Sequence, residues 1–164
     1  MSASARASGN ASDKLRLDRF VPYRLSVLSN LVSMSIAHAY EREFGLTIPE
    51  WRVLAVLARY PNLSAVEVAE RTAMDKVAVS RAVQSLLAAR RLVRTYDKGD
   101  RRRSVLRLSA AGRAVYTRVA PLALGYERKL LDALSASDRR TLDRLIGRLT
   151  ERARLLDQMD GQDS

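Results

Sequence analysis

From about Asp18 to Glu43, apolar residues recur every three or four positions, at Leu25, Leu28, Val32, Ile36 and Ala39. That spacing places them on one face of an amphipathic helix. Pro22 suits its first turn, where a missing N–H costs little, and Gly45 suits its end. Thr47-Ile48-Pro49-Glu50 then has the form of a capping box, in which Thr47 and Glu50 each satisfy the other's backbone N–H. The helix it opens carries Trp51, Leu54, Leu57 and Ala58 on one side and must stop before Pro61. Ser64 and Glu67 repeat the box, with Leu63 and Val68 spaced as a hydrophobic staple, and predict a short helix ending near Arg71 or Thr72. Asp75 can cap a third helix running to about Arg90. On its wheel Val79, Ala82, Val83, Leu86 and Leu87 gather on one face, and Val77, Ser80, Arg81, Gln84 and Ser85 on the other.

The period then changes from that of a helix to that of a strand. Leu92 to Tyr96 and Ser104 to Leu108 alternate about a turn-forming Asp97-Lys98-Gly99-Asp100, the pattern of a β-hairpin. Ser109 can cap a long helix from Ala110 to about Leu134, with a kink at Pro121. Ser137 can cap a last helix, in which Leu142, Leu145, Ile146 and Leu149 recur to about Leu156. Met1 to Ser12 has no periodicity and is rich in Ser, Ala and Gly, so residues 1–13 read as a flexible arm. The expected fold is mainly α with one small β-hairpin, in a single domain over about residues 18–157. There is no internal repeat and no linker that would divide it.

Charge changes this picture. The 164 residues carry a formal net charge of +11. Between Arg90 and Arg107 eight arginines and lysines stand against two aspartates, so that +6 of the excess lies in one segment. A disordered basic tail would lack the alternation seen there. Positive charge held on a folded finger points to a polyanion, most simply nucleic acid.

Other chemistry is scarce. The chain has no cysteine, which excludes disulfides and thiolate zinc sites, and His38 is its only histidine. No metal or other cofactor is expected. A nucleophilic triad needs a base beside a nucleophile; no such motif surrounds His38, and glycine-rich phosphate loops are absent. No catalytic residue is therefore assigned. No apolar run has membrane-spanning length and no apolar stretch marks a secretory signal, so a cytoplasmic protein without membrane contact is expected.

Two short helices joined by Thr72-Ala73-Met74 and followed by a basic hairpin form a winged helix-turn-helix. The second helix must present short polar side chains and an arginine, because bulk would keep it out of a major groove. Arg81 can pair with guanine O6 and N7, and Gln84 with adenine N6 and N7. Lys76 and Ser80 are placed for phosphates, and Val77 shares their face. An arginine at the hairpin tip fits an adjacent minor groove. A polar helix face alone is usually just solvated; three consecutive arginines on the finger that follows favour double-stranded DNA. An architectural protein that binds without choosing sequence is the alternative. Arg81 and Gln84 argue against it, since a purely electrostatic binder has no need of them there.

Here the chain resembles the MarR family of bacterial transcriptional regulators, over about Asp18 to Leu156. The most specific likeness is the wing pattern Asp-x-Arg followed by Leu-Thr, present as Asp100-Arg101-Arg102 and Leu108-Ser109. Gly45-Leu46-Thr47, Trp51-Arg52-Val53-Leu54, Val79-Ser80-Arg81 and Gly112 add to it. The resemblance implies that Arg102 is the minor-groove arginine, oriented by an ion pair with Asp100, with Lys98, Arg101 and Arg103 at the phosphates. It further implies an interlocked homodimer, with a DNA-binding core at about 47–108 and dimerisation helices at about 18–44 and 110–157. Such a dimer would read a pseudo-palindromic operator, usually as a repressor. Family members commonly hold a small phenolic or aromatic acid between the dimerisation helices and the winged part. Tyr23, His38, Trp51 and Arg52 are the candidates near such a crevice, although Trp51 equally fits the core and His38 a plain helix face. A regulator with no small effector is the remaining alternative.

Overall fold

The computed structural model describes residues 15–96, 99 and 103–160. The expected arm at 1–13 and the wing residues Lys98, Asp100, Arg101 and Arg102 lie outside them. The chain forms two compact units, Met1–Gly112 and Arg113–Ser164.

In the first unit α1 spans Val21–Phe44, α2 Ile48–Arg59, α3 Ala65–Thr72 and α4 Lys76–Ala88. Strands β1, Leu92–Tyr96, and β2, Ser104–Leu108, pair antiparallel with Leu92 opposite Leu108 and Tyr96 opposite Ser104. The helix α5, Ala110–Leu131, leaves this unit at Gly112.

Local chemistry accounts for most of the boundaries. Gly45 ends α1 with φ +59°, a conformation that costs glycine no Cβ clash. Both capping boxes form: Glu50 accepts from the Thr47 N–H at 2.7 Å, and Glu67 from the Ser64 N–H at 2.7 Å. Asp75 Oδ1 accepts from the Ala78 N–H at 2.8 Å and opens α4. Two boundaries differ from the sequence expectation. Arg16 to Phe20 form a turn, so α1 starts three residues later than Asp18. At the other end of the unit α4 stops at Ala88, because Arg90 turns left-handed at φ +55°. The Arg91 N–H then reaches the Leu86 carbonyl and the Arg90 N–H that of Leu87, a Schellman stop built on arginine instead of glycine.

The core lies among α2, α3, α4 and the hairpin. Val53, Leu54, Leu57, Val68, Val79, Val83, Leu86 and Leu106 are all at most 1 % exposed. Leu63 extends the sheet by one bridge: the Leu106 N–H donates to its carbonyl at 2.8 Å, and the Asn62 N–H to the Leu106 carbonyl at 3.0 Å. Tyr40 of α1 is buried, its ring centroid 5.8 Å from that of Trp51, and burial pushes its phenol up to about 12.

The second unit holds the rest of α5 and α6, Ala136–Asp160. The cap of α6 is Ser135 and not Ser137: Ser135 Oγ accepts from the Asp138 N–H at 3.1 Å and donates to the Asp138 carboxylate at 2.6 Å. This earlier cap ends α5 at Leu131, short of Leu134. No helix among the described residues is long and apolar enough to cross a membrane.

Candidate nucleic-acid interface

The helix α4 is two-faced. Val79, Ala82, Val83 and Leu86 are buried, whereas Lys76, Val77, Ser80, Arg81 and Gln84 all face solvent. Val77, the apolar member of the outer set, is 59 % exposed, so the apolar core does not claim it. Arg81 has no side-chain partner among the described residues. It borders a cleft of about 360 Å³ shared with Ser85 of α4 and with Pro49 and Glu50 at the start of α2. Burial pushes the Glu50 carboxyl up, but hydrogen bonds from Ser85 and Thr47, together with the Arg91 charge, outweigh it and hold the group below the usual range. The α2 cap is thereby tied to α4, which carries the exposed face.

The hairpin follows α4 directly. Arg94 and Arg107 face solvent on the paired strands. Arg91 is half-buried, and its guanidinium caps α1 by donating to the Phe44 carbonyl at 2.5 Å. Arg103, expected at a phosphate, donates to both oxygens of Glu67 at 2.5 and 2.6 Å. The residue before β2 is thus fastened to the first turn of α3. Sequence shows Glu67 as a capping residue, but no local pattern reveals a partner 36 positions away. Of the wing set, Arg103 alone is among the described residues.

Glu67 also gives the unit an acid-sensitive joint. Hydrogen bonds from the Ser64 backbone and hydroxyl, then the Arg103 guanidinium, hold its carboxyl down at about 2, from an ordinary 4.5. A depressed carboxylate contributes stability that is fully present above its unfolded value and lost as pH falls through the folded one. Glu67→Gln keeps the cap geometry but cannot titrate. Its melting temperature is expected to be lower than wild type near neutrality and to fall less between about pH 4.5 and 2. Parallel slopes for the two proteins in a pH series of melting curves would remove Glu67 from this role.

The four residues expected at an effector crevice separate. His38 borders a cavity of about 290 Å³ with Met34, Ala37 and Glu41 of α1 and Ile48 and Pro49 of α2. Tyr23, Trp51 and Arg52 do not line it. Tyr23 lies exposed near the start of α1, Trp51 packs on Tyr40, and Arg52 donates to Ser33 Oγ at 3.1 Å. The resemblance implies only the neighbourhood of such a crevice and does not resolve which side of each helix faces it.

A capped helix, a tight turn through left-handed Ala73, a second helix with a polar outer face and an antiparallel hairpin define a winged helix-turn-helix protein. Residues 44–103 match the model of the MarR family. The HTH-type transcriptional repressor Rv2887 of Mycobacterium tuberculosis is 28% identical over 105 residues, 64% of this chain and 76% of that protein. Among solved structures, a MarR/EmrR family regulator from Acinetobacter sp. ADP1 superposes with a TM-score of 0.78 at 24% identity, over 85% of this chain and 98% of the other. PcaV of Streptomyces coelicolor, solved with its natural ligand, gives 0.71 at 24% identity, over 85% and 98%. The winged helix-turn-helix segment at residues 44–103 is thus of the MarR type, and the proteins that the chain resembles are transcriptional regulators.

Proposed function

We propose that this protein is a cytoplasmic, homodimeric repressor that reads a pseudo-palindromic operator and releases it when a small aromatic effector binds. One observation carries the DNA reading. The outer face of α4 offers an arginine with no partner among the described residues and a glutamine, opposite a buried apolar face, and the basic hairpin follows it. Arg81 and Gln84 read base edges in the major groove, while Lys76 and Ser80 contact phosphate. In the wing Arg102, with Asp100 as its partner, enters the minor groove, and Lys98 and Arg101 hold the backbone on either side. Arg103 acts through Glu67, keeping the root of the wing on α3.

Exposed apolar side chains support the dimer. On α1 these include Leu25, Leu28 and Leu31, and on α6 Leu142, Leu145, Ile146 and Leu149, each 38–54 % exposed. Such stripes on long helices are surfaces that a second copy can cover, and two-fold symmetry would set half-sites roughly 34–36 Å apart. The arm at 1–13 lies outside this arrangement, with about 18–44 and 110–157 as the dimerising segments and about 47–108 as the reading core. The effector enters the His38 cavity; PcaV, of similar fold, was solved with its natural ligand.

The test is a gel-shift titration on the operator, located by footprinting upstream DNA, with unrelated duplex as competitor. A regulator retains a preference of at least about a thousandfold for its site. Comparable affinity for both duplexes indicates an architectural protein instead. A solution mass of one chain at all concentrations overturns the dimer.

A further inference from the structure

The cavity beside His38 selects the chemistry of its occupant. The Nδ1 atom of His38 lies 2.7 Å from the Met34 carbonyl oxygen. A carbonyl only accepts, so Nδ1 carries the proton, and in the neutral ring Nε2 is left as an acceptor. Glu41, one turn further along the cavity wall, is an exposed carboxylate with no side-chain partner among the described residues. The Thr47 hydroxyl, also on the wall, already donates to Glu50 at 2.8 Å. The remaining wall side chains are apolar. The lining side chains therefore present acceptors and a negative charge, and no donor.

The backbone acts in the same direction. Glu41 stands in the last turn of α1, at the negative end of the helix dipole, where a carboxylate is unfavourable; Arg91 caps the Phe44 carbonyl of that turn. At the start of α2 on the opposite wall, Glu50 already accepts the Thr47 N–H and Pro49 has no N–H to offer. A carboxylate that opposes its own helix and points at an open apolar cavity makes sense if a cation is what it faces.

We propose that the cavity between α1 and α2 takes an apolar, aromatic body with a hydrogen-bond-donating cationic head, a protonated arylmethyl amine, and discriminates against the corresponding carboxylate. The head lies between Glu41 and His38 Nε2, and the ring lies against Met34, Ala37 and Ile48. This rests on the reading of the cavity as the effector site and narrows it: an aromatic acid would set its charge against Glu41.

The matched probes are 4-isopropylbenzylamine and 4-isopropylbenzoate, titrated calorimetrically into the full chain above the pH range in which imidazoles protonate. The amine is expected to bind about tenfold or more tightly than the acid, from charge complementarity at a partly exposed site. Glu41→Gln is expected to weaken the amine about fivefold and to shrink the discrimination, and Ala37→Leu, which fills the cavity, to abolish binding. Equal or tighter binding of the benzoate overturns the proposal, and so does unchanged amine affinity in Glu41→Gln or no binding of either probe. Release of operator DNA is read separately by gel shift. Amine binding without release upholds the ligand class and overturns the effector role; release by the benzoate alone does the reverse.

Discussion

Replacing Gly112 by alanine is expected to lower the unfolding free energy by about 3 kcal/mol, although the same exchange in a helix ordinarily raises it by about 0.5–1 kcal/mol. The reversal comes from one close approach. A Cβ at Gly112 would stand 2.0 Å from the Arg91 carbonyl oxygen and 3.0 Å from its carbon. The obstacle is backbone, and that backbone is fixed from both sides. The Ser109 N–H donates to this same Arg91 oxygen at 3.0 Å, and the Ser109 hydroxyl donates to the Arg90 carbonyl at 2.7 Å while accepting from the Gly112 N–H at 3.0 Å. Arg90 is itself held left-handed by the stop of α4. The methyl can therefore be accommodated only by lifting the first turn of α5 off the corner between α4 and β1. Gly125 supplies the control. A Cβ there meets only the end of the Arg128 side chain at 3.7 Å, so Gly125→Ala is expected to gain the ordinary helix increment. Urea denaturation of the two variants, with wild type alongside, checks the pair. A Gly112→Ala midpoint at or above wild type would show that the close approach is not maintained in solution.

That corner also separates what local sequence dictates from what tertiary packing adds. The starts of α2, α3 and α4 are legible because a capping box or an N-cap lies within four residues of sequence, and geometry that local leaves little choice. The two strands are legible for the same reason: each is a short alternating run bounded by turn residues. The outer face of α4 is legible because its polar and apolar positions separate cleanly at 3.6 residues per turn. The end of α4 is not, since Arg90 takes a conformation for which glycine is the usual signal. Ser135 and Ser137 are both competent caps, and only the path of the chain between α5 and α6 selects between them. The pairings of Gly112 with Arg91, Arg103 with Glu67 and Arg91 with Phe44 join residues far apart in sequence. For those, composition gives only the charge or the glycine, and tertiary packing supplies the partner. The cavity illustrates the same limit: His38 lines it, whereas Trp51 and Arg52, only two or three positions beyond the lining residue Pro49, do not.

Arg81→Ala is expected to raise the operator dissociation constant about 5- to 150-fold per half-site, from the roughly 1–3 kcal/mol that a bidentate arginine–guanine pair contributes. Its position on α4 is the reason. The buried residues Val79, Ala82, Val83 and Leu86 fix the rotation of α4 on the core, and that rotation leaves Arg81 on the solvent side beyond the first turn from the Asp75 cap. Neighbouring Ser80 and Gln84 are short enough not to hold the helix out of a groove. With no ion pair to break among the described residues, the guanidinium is available to a base without an internal cost. Removing a base-reading side chain has a different signature from removing one that holds phosphate. Arg81→Ala should relax preference at one base pair in each half-site and leave Gln84-dependent positions unchanged. Lys76→Ala, at the helix start, should instead weaken all sequences alike and reduce the slope of log affinity against log salt by about one for each phosphate no longer neutralised. Binding measured over a salt series on single-substitution operator variants separates the two. If Arg81→Ala weakened every variant equally and flattened the salt dependence, Arg81 would be a backbone clamp, and base reading by α4 would rest on Gln84.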